Sequence, residues 1–179
     1  MSVTMKETEA IPASYPASPA GLSTAAAALD QNAIWQRIEA YCKTRWTARE
    51  VVWIVEEEGD WSPPLYPLEV TAEEVWSDNA WGEATVYASP YGGYRLTTCG
   101  PYRFTATVGG GDVPAAVSEA FRRLAEYLAD DPERSGASSY SVNMGGAIEE
   151  SFNRNPAWIA RALDLSGAAD LLRPYKRRA

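Results

Sequence analysis

The chain has 179 residues, a formal net charge of −8 and no histidine. This length is typical of one domain, or of one domain with appended arms. The lack of histidine excludes Ser-His and Cys-His catalytic pairs and imidazole metal sites, and the acidic balance disfavours a nucleic-acid-binding surface. Cys42 and Cys99 match neither a disulfide framework nor a metal cluster, and no signal peptide or membrane-spanning run is apparent. The sequence therefore predicts a soluble protein made in a reducing cytoplasm, without a cofactor.

The chain begins with residues 1–29, which are rich in Ala, Pro and Ser and show no sustained hydrophobic period. Such a segment has too little apolar surface to offset the entropy lost on ordering, so we expect a flexible arm. A first helix is predicted over 30–44, because Asp30 is a good N-cap and apolar residues such as Ile34 and Ile38 follow at helical spacing.

Residues 50–108 have the pattern of an antiparallel sheet. The β-branched and aromatic runs EVVWIVE, LEVTAEEVW, WGEATVY, GYRLT and YRFTATV are divided by short turn signals. In PYRFTATV, apolar residues alternate with Arg and Thr, which is typical of a strand with one buried face. Separators this short indicate hairpins, and hence antiparallel pairing.

Helices are predicted again after the sheet. Apolar residues at helical spacing predict a helix over 114–129, with Pro114 in its first turn: Val117, Phe121, Leu124 and Leu128. Residues 130–139 are predicted to be a polar loop. A third helix is expected over 156–166, with Asn155 as its N-cap and Gly167 as its stop. The predicted fold class is α+β, a small helical bundle carrying an antiparallel β-sheet insertion, with flexible terminal arms.

Two motifs that suggest an enzyme are weak. VGGGDVP lacks the Gly-Lys-Ser/Thr of a phosphate-binding loop, so we interpret it as a flexible strand-to-helix turn. Runs of Glu at 56–58 and 73–74 could supply a carboxylate pair for glycoside hydrolysis, with Glu57 and Glu74 as candidates. Adjacent carboxylates on a strand point to opposite faces, however, and runs of Glu are usually solvated. We therefore expect no catalytic residue and no enzyme.

Large aromatic residues are concentrated in the predicted sheet: Trp53, Trp61, Tyr66, Trp76 and Trp81. They could form a sugar-stacking platform, which would make the protein a carbohydrate-binding module. Because alternation sends several of these rings inward, packing within the sheet or a protein interface is the favoured interpretation.

The C-terminal sequence RPYKRR is unusual for an acidic chain. Four of the sixteen basic residues of the chain fall within the last seven positions: Arg173, Lys176, Arg177 and Arg178. This tail could contact nucleic acid or a membrane, could only solubilise the chain end, or could dock on an acidic neighbour, with Pro174 limiting its free states. The residue pattern alone leaves these alternatives open.

Three stretches occur in a distinctive order: WQRIEAYCKTRWT, then GPYRFTATVGGGDVPAAVSEAFRRLAEYL, and finally SGAADLLRPYKRR. In this order, from about residue 31 to the end, the chain resembles the head-tail connector (head-completion adaptor) proteins of long-tailed bacteriophages and gene transfer agents. Members of that family have a helix, a small β insertion, a strand running through Gly-x-x-Pro into a long helix, and a terminal LLxPYR. They also open with an additional helical segment, which the arm of residues 1–29 replaces here.

The resemblance implies a structural protein in the neck of a virion or phage-like particle, assembled in the bacterial host cytoplasm. Such connectors form a ring, commonly of twelve copies, beneath the portal protein of the filled head, and they present a platform to a downstream neck or tail protein. Double-stranded DNA passes through the ring without specific binding, and no membrane is involved. The acidic body would keep the DNA from adhering to the channel.

The resemblance also implies site residues. Within a basic docking tail of residues 171–179, the candidates for portal docking are Leu171, Leu172, Arg173, Pro174, Tyr175, Lys176 and Arg177. A closed ring needs two different, complementary faces on each subunit. We assign these faces to the Trp-rich β insertion and the outer face of the helix over 114–129, through Arg122, Arg123, Trp61, Trp76 and Trp81. A connector domain of residues 30–170 would lie between arm and tail.

Overall fold

The structure is a computed structural model that describes residues 2–56, 58–130, 139–144, 148–153 and 158–177. It contains helices and antiparallel sheets, so the predicted α+β class is confirmed. The strands are β1 (Val3–Glu9), β2 (Arg49–Glu56), β3 (Gly59–Trp61), β4 (Leu68–Ser77), β5 (Ala80–Glu83), β6 (Tyr87–Ala88), β7 (Tyr94–Leu96), β8 (Tyr102–Val108), β9 (Ser139–Met144) and β10 (Ile148–Asn153). The helices are α1 (Thr24–Ala27), α2 (Gln31–Cys42), α3 (Ala115–Ala129), α4 (Ala162–Leu165) and α5 (Ala168–Leu172), and a 3-10 turn follows at Arg173–Tyr175.

The chain divides into two compact units. The first unit consists of Met1–Pro16, Glu39–Asp112 and Lys176–Ala179, and the second consists of Ala17–Ile38 and Val113–Tyr175. This division differs from the predicted single connector domain, because one boundary falls inside α2 and both chain ends belong to the first unit.

A five-stranded antiparallel sheet forms the centre of the first unit, in the order β1-β2-β8-β4-β5. Residues of β2 and β8 alternate between buried and more exposed positions, because successive side chains of a strand point to opposite faces. The alternation predicted for β8 is therefore confirmed. The inward residues of the two strands form the core: Val51, Trp53, Val55, Tyr102, Phe104, Ala106 and Val108. A three-stranded sheet, β3-β7-β6, adds Trp61 and Leu96 to this core.

The N-terminal residues differ from the predicted flexible arm. Val3–Glu9 form β1, which pairs antiparallel with β2 at the edge of the five-stranded sheet, and the short helix α1 follows. The sequence of β1, VTMKETE, has no run of apolar residues that could reveal a strand. Most of its side chains are exposed, so its pairing depends on contacts with residues that are distant in sequence.

The glycine loop after β8 is the predicted strand-to-helix turn. Gly109, Gly110 and Gly111 all have positive φ angles, between 89° and 106°. A Cβ atom on Gly109 would lie 2.3 Å from the backbone oxygen of Thr47, so this position also requires glycine for space. The loop leads to Pro114, the N-cap residue of α3.

Helix α3 is the main helix of the second unit and agrees with the predicted helix over 114–129. One face is buried through Val117, Ala120, Phe121, Leu124, Ala125 and Ala129. The ring of Trp35, from α2, packs on this face with its centroid 4.7 Å from that of Phe121. Helix α2 begins one residue later and ends two residues earlier than the predicted 30–44.

The C-terminal part of the second unit differs more from prediction. The described part of the predicted helix over 156–166 contains turns and the four-residue helix α4, while Asn155 and Pro156 lie outside the described residues. Most of the predicted loop over 130–139 also lies outside them. The hairpin of β9 and β10 follows that segment and was not predicted from the sequence. In the part of the chain that the structure describes, no helix has the length and apolar character needed to cross a membrane.

Candidate interaction surfaces

Four charged side chains form a network, the junction network, between the end of α2 and the start of β2: Glu9, Glu39, Arg45 and Arg49. The Arg49 guanidinium donates to the two Glu39 carboxylate oxygens at 2.9 and 2.7 Å, and to Glu9 at 3.0 Å. The Trp46 backbone N–H donates to Glu39 at 2.9 Å. Because the side chains of Glu39 and Arg49 are only 3% and 5% exposed, the protein rather than water must satisfy both charges.

The junction network also fixes strand β1, through Glu9. Two further polar side chains of β1 accept hydrogen bonds from core tryptophans. The indole N–H of Trp53 donates to the Glu7 carboxylate at 2.8 Å, and that of Trp61 donates to the Thr4 hydroxyl at 2.9 Å. The inner face of β1 is therefore held by polar side-chain contacts as well as by its ladder to β2.

The electrostatic state of Glu9 follows from its two arginine partners. Burial alone would disfavour the charged carboxylate. The hydrogen bond and charge of Arg45, together with those of Arg49, outweigh burial and lower the pKa of Glu9 from its usual value of 4.5. Glu9 therefore stays ionised throughout the neutral range and into mild acid.

The predicted portal-docking residues lie in different settings. Leu172, at the end of α5, is fully buried, and Leu171 and Tyr175 are half-buried. Arg173 and Pro174 are exposed. Leu172 is therefore a core residue of the second unit, and its prediction as a docking contact does not agree with its placement, because its side chain is already enclosed by its own chain.

Lys176 and Arg177 contact the end of α2, in the first unit. The Lys176 ammonium lies 4.4 Å from the centroid of the Tyr41 ring, and the Arg177 guanidinium carbon lies 3.2 Å from that of Tyr66. The Arg177 backbone N–H donates to the Cys42 carbonyl at 3.2 Å. These two tyrosines were not predicted from the sequence as partners of the tail. Tyr41, near the C-terminus of the predicted first helix in a chain with a basic tail, is a signal that could have suggested one of them, whereas Tyr66 lies in a loop without such a signal.

The two cysteines differ in burial. Cys42 is fully buried beside this contact, and burial raises the pKa of its thiol to about 12, so it remains protonated at neutral pH. Cys99 is exposed, and both are free thiols. Among the described residues, no three side chains are grouped as potential metal ligands.

Arg122 and Arg123, predicted to lie in a subunit interface, bind the same carboxylate on α3. Glu119 accepts hydrogen bonds from Arg122 at 2.8 and 2.7 Å and from Arg123 at 2.9 Å. The hydrogen bonds from Arg122 and then Arg123 lower the pKa of Glu119 to about 2. The two arginines also line an open pocket in the second unit with Tyr127, which leaves them accessible to another molecule.

The three tryptophans predicted to lie in that interface do not share one surface. Trp61 is 4% exposed and stacks on Phe104, so the prediction for Trp61 does not agree with its placement in the core. Trp76 is 38% exposed, and its ring meets that of Trp81 edge to face at 65°. Because Trp53 is also buried and the exposed pair is not coplanar, these rings do not form a flat sugar-stacking platform.

The surroundings of the glycosidase candidates do not favour that chemistry. Glu57 lies outside the described residues. Glu74 accepts two hydrogen bonds from the Arg103 guanidinium, and these lower its pKa. A general acid in glycoside hydrolysis needs a raised pKa, so Glu74 is not suited to that role.

Comparisons with known proteins give a similarity of structure. No family model and no curated protein matches the chain. A chain from the neck of an empty gene transfer agent particle, computed with C6 symmetry, is similar with a TM-score of 0.52 and 16% identity, covering 98% of this chain and 97% of that one. A chain from the virion of a native gene transfer agent particle has a TM-score of 0.49 and 15% identity, covering 83% and 75%. This chain therefore has the fold of a protein found in the neck of such a particle.

Proposed function

We propose that this protein is a structural neck component of a gene transfer agent or tailed phage, located between the portal and the tail. The observation that supports this best is the similarity of fold to a neck chain over nearly the full length of both proteins. The ordered sequence stretches that end in LLRPYKRR provide an independent argument for the same role. The proposed role is structural, and it requires neither catalysis nor a cofactor.

The proposal includes a closed ring of identical copies, with DNA passing through its centre. A ring of twelve is compatible with the C6 symmetry used for the neck of the similar particle. The accessible side chains that we assign to the contacts between copies are Arg122 and Arg123 on one face, and Trp76 and Trp81 on the other. A heterologous contact of this kind buries two different patches on each copy.

The C-terminal tail is proposed to dock on the portal through Arg173, Tyr175, Lys176 and Arg177. The exposure of Arg173 and Lys176 supports this assignment, since basic side chains can meet an acidic groove. The downstream neck or tail protein would bind the opposite side of the ring.

The role is tested by electron microscopy of particles from a strain that lacks this gene. We expect DNA-filled heads and complete free tails that remain separate, because the joining component is missing. Normal tailed particles would refute the proposal. Restoring the gene without residues 173–179 then tests the tail, and unchanged binding of this truncated protein to purified portal would refute tail docking.

The ring is tested by reversing charge on the outer face of α3. Arg122→Glu and Arg123→Glu should reduce assembly while leaving the circular dichroism spectrum and the urea midpoint of the subunit close to wild type. Normal assembly, or a subunit that no longer folds, would count against an interface at these residues.

A further inference from the structure

The end of α2 forms a small site that holds two cationic side chains. Tyr41 is in the last turn of α2, and its ring lies beneath the Lys176 ammonium. Tyr66 comes from the loop before β4, and its ring lies beneath the Arg177 guanidinium. The Cys42 carbonyl, at the C-terminus of α2, accepts the Arg177 backbone N–H. The site therefore consists of two aromatic faces and one helix-terminal carbonyl.

The backbone of Tyr66 is held by contacts that do not involve the tail. The Tyr66 N–H donates to the Lys43 carbonyl at 3.3 Å, and the Arg45 N–H donates to the Tyr66 carbonyl at 2.7 Å. Thr44 and Tyr66 also form a parallel β-bridge. These bonds fix Tyr66 beside the end of α2 whether or not a cation is bound, so the site is preorganised.

The chemistry of the site selects positively charged residues. Aromatic faces attract ammonium and guanidinium groups, and the last carbonyls of a helix carry partial negative charge and lack partners within the helix. The short distance between Arg177 and Tyr66 is that of a planar guanidinium stacked on a ring, while the compact ammonium of Lys176 lies over the second ring. A Lys-Arg dipeptide fits both positions at once.

We propose that these groups form a recognition site for a Lys-Arg dipeptide, which the chain's own tail fills in the free subunit and leaves when it docks. The first half of this inference concerns the free protein alone, and the second half rests on the proposed function. Lys176 and Arg177 cannot lie on the two tyrosine rings and in an acidic groove of another protein at the same time. The site therefore competes with docking. The apparent affinity of the tail for its partner equals its intrinsic affinity multiplied by the fraction of subunits in which the tail is free.

The site is tested first without any partner, by limited trypsin digestion of the full-length protein. Trypsin cleaves after Lys176 and Arg177 only when the tail leaves the site, so the cleavage rate follows the population of the free tail. Mass spectrometry of the intact chain measures the loss of the two residues that follow Arg177 or the three that follow Lys176. Tyr66→Leu removes the ring beneath Arg177, and we expect cleavage to be about five-fold faster.

Two further variants make the digestion experiment specific. Tyr41→Leu removes the other ring and leaves Tyr66 in place, and it should also increase the cleavage rate. Agreement between the two variants would show that a folding defect in one of them is not the cause. Tyr91→Leu is the matched control, because Tyr91 is 86% exposed and belongs to the same unit. Equal cleavage rates in wild type, Tyr66→Leu and Tyr41→Leu would overturn the recognition site.

Binding of the same proteins to purified portal rings tests the second half. If the tail is released before docking, Tyr66→Leu should bind up to about five-fold more tightly than wild type and Tyr91→Leu. Faster cleavage without portal binding by any of the proteins would support the site and refute portal docking. If wild type binds the portal and Tyr66→Leu binds it equally or more weakly, the proposed competition is refuted. The proposed function is not affected by that result.

Discussion

The substitution Glu39→Gln would remove one charge from the junction network with little change in side-chain size. In the folded protein the Arg49 guanidinium lies 2.7 Å from the Glu39 carboxylate, and both side chains are almost fully buried. Removing one partner of a buried ion pair costs about 3–5 kcal/mol, because the other charge is left without full compensation. Glu9 remains 3.0 Å from Arg49, so we expect the free energy of unfolding to fall by about 3 kcal/mol, the lower end of this range.

Urea unfolding at pH 7, followed by tryptophan fluorescence, measures this loss. Trp46 and Trp53 are buried in the first unit and report on its unfolding. If the free energy of unfolding falls by about 2 kcal/mol per molar urea, the midpoint of unfolding should fall by about 1.5 M. Glu74→Gln is the matched control in the same unit, since its carboxylate also binds a guanidinium through two hydrogen bonds. The two side chains of that pair are 24% and 31% exposed, so the midpoint should shift much less.

A double variant separates the loss of a charge from the loss of a contact. Glu39→Gln combined with Arg49→Met removes both charges, and it leaves an amide oxygen that can still accept the Trp46 N–H. We therefore expect it to recover most of the stability lost in Glu39→Gln alone. The reasoning would be refuted if Glu39→Gln and Glu74→Gln shifted the midpoint equally. It would also be refuted if the double variant were as unstable as the single one.

Three other predictions concern the first unit. Because the pKa of Glu9 is lowered on folding, its contribution to stability is present above about pH 4.5 and lost as pH falls further. Urea midpoints between pH 3 and pH 7 should therefore depend less on pH in Glu9→Gln. Gly110→Ala should cost about 1–3 kcal/mol from its positive φ alone, and Gly109→Ala should cost more, since its Cβ would overlap a backbone oxygen; equal urea midpoints would contradict this. In thiol titration at pH 8, Cys99 should react in the native protein and Cys42 only after denaturation, because burial keeps Cys42 protonated.

The elements that could be predicted from sequence are those with a strong local pattern. Helix α3 has apolar residues at every turn, and β8 alternates strictly, so each element reveals its own buried face. Helix α2 has a weaker pattern, yet Asp30 marks its beginning, with its side chain accepting the Asn32 N–H at 3.0 Å.

The elements that were missed depend on partners far along the chain. Strand β1 is mostly polar, and its Glu9 binds Arg45 and Arg49, thirty-six and forty positions away. A local pattern contains no information about such a pair. Trp61 illustrates the same limit, because alternation shows that some rings point inward but does not show which sheet will cover them.

Only the tail, one of the two parts of the candidate site, could be predicted from the sequence. The resemblance in LLRPYKRR identified the tail, but not the surface that the tail contacts in its own chain. Tyr41 has the spacing of a core residue of α2, and Tyr66 lies in a loop without regular pattern. Only the folded chain brings both rings to one helix end, where they meet Lys176 and Arg177.

Both ends of the chain thus attach to the first unit near the end of α2, but with different physical chemistry. The N-terminal end is held by the strand ladder of β1 to β2 and by Glu9, which is partly buried and pairs with both Arg45 and Arg49. The C-terminal end is held by two cation–ring contacts and one backbone hydrogen bond, and each such ring contact contributes only about 0.5–1 kcal/mol at an exposed position. Local opening occurs first where the fewest strong contacts must break. The tail is therefore the end of the chain that can change partners while the rest of the first unit stays folded.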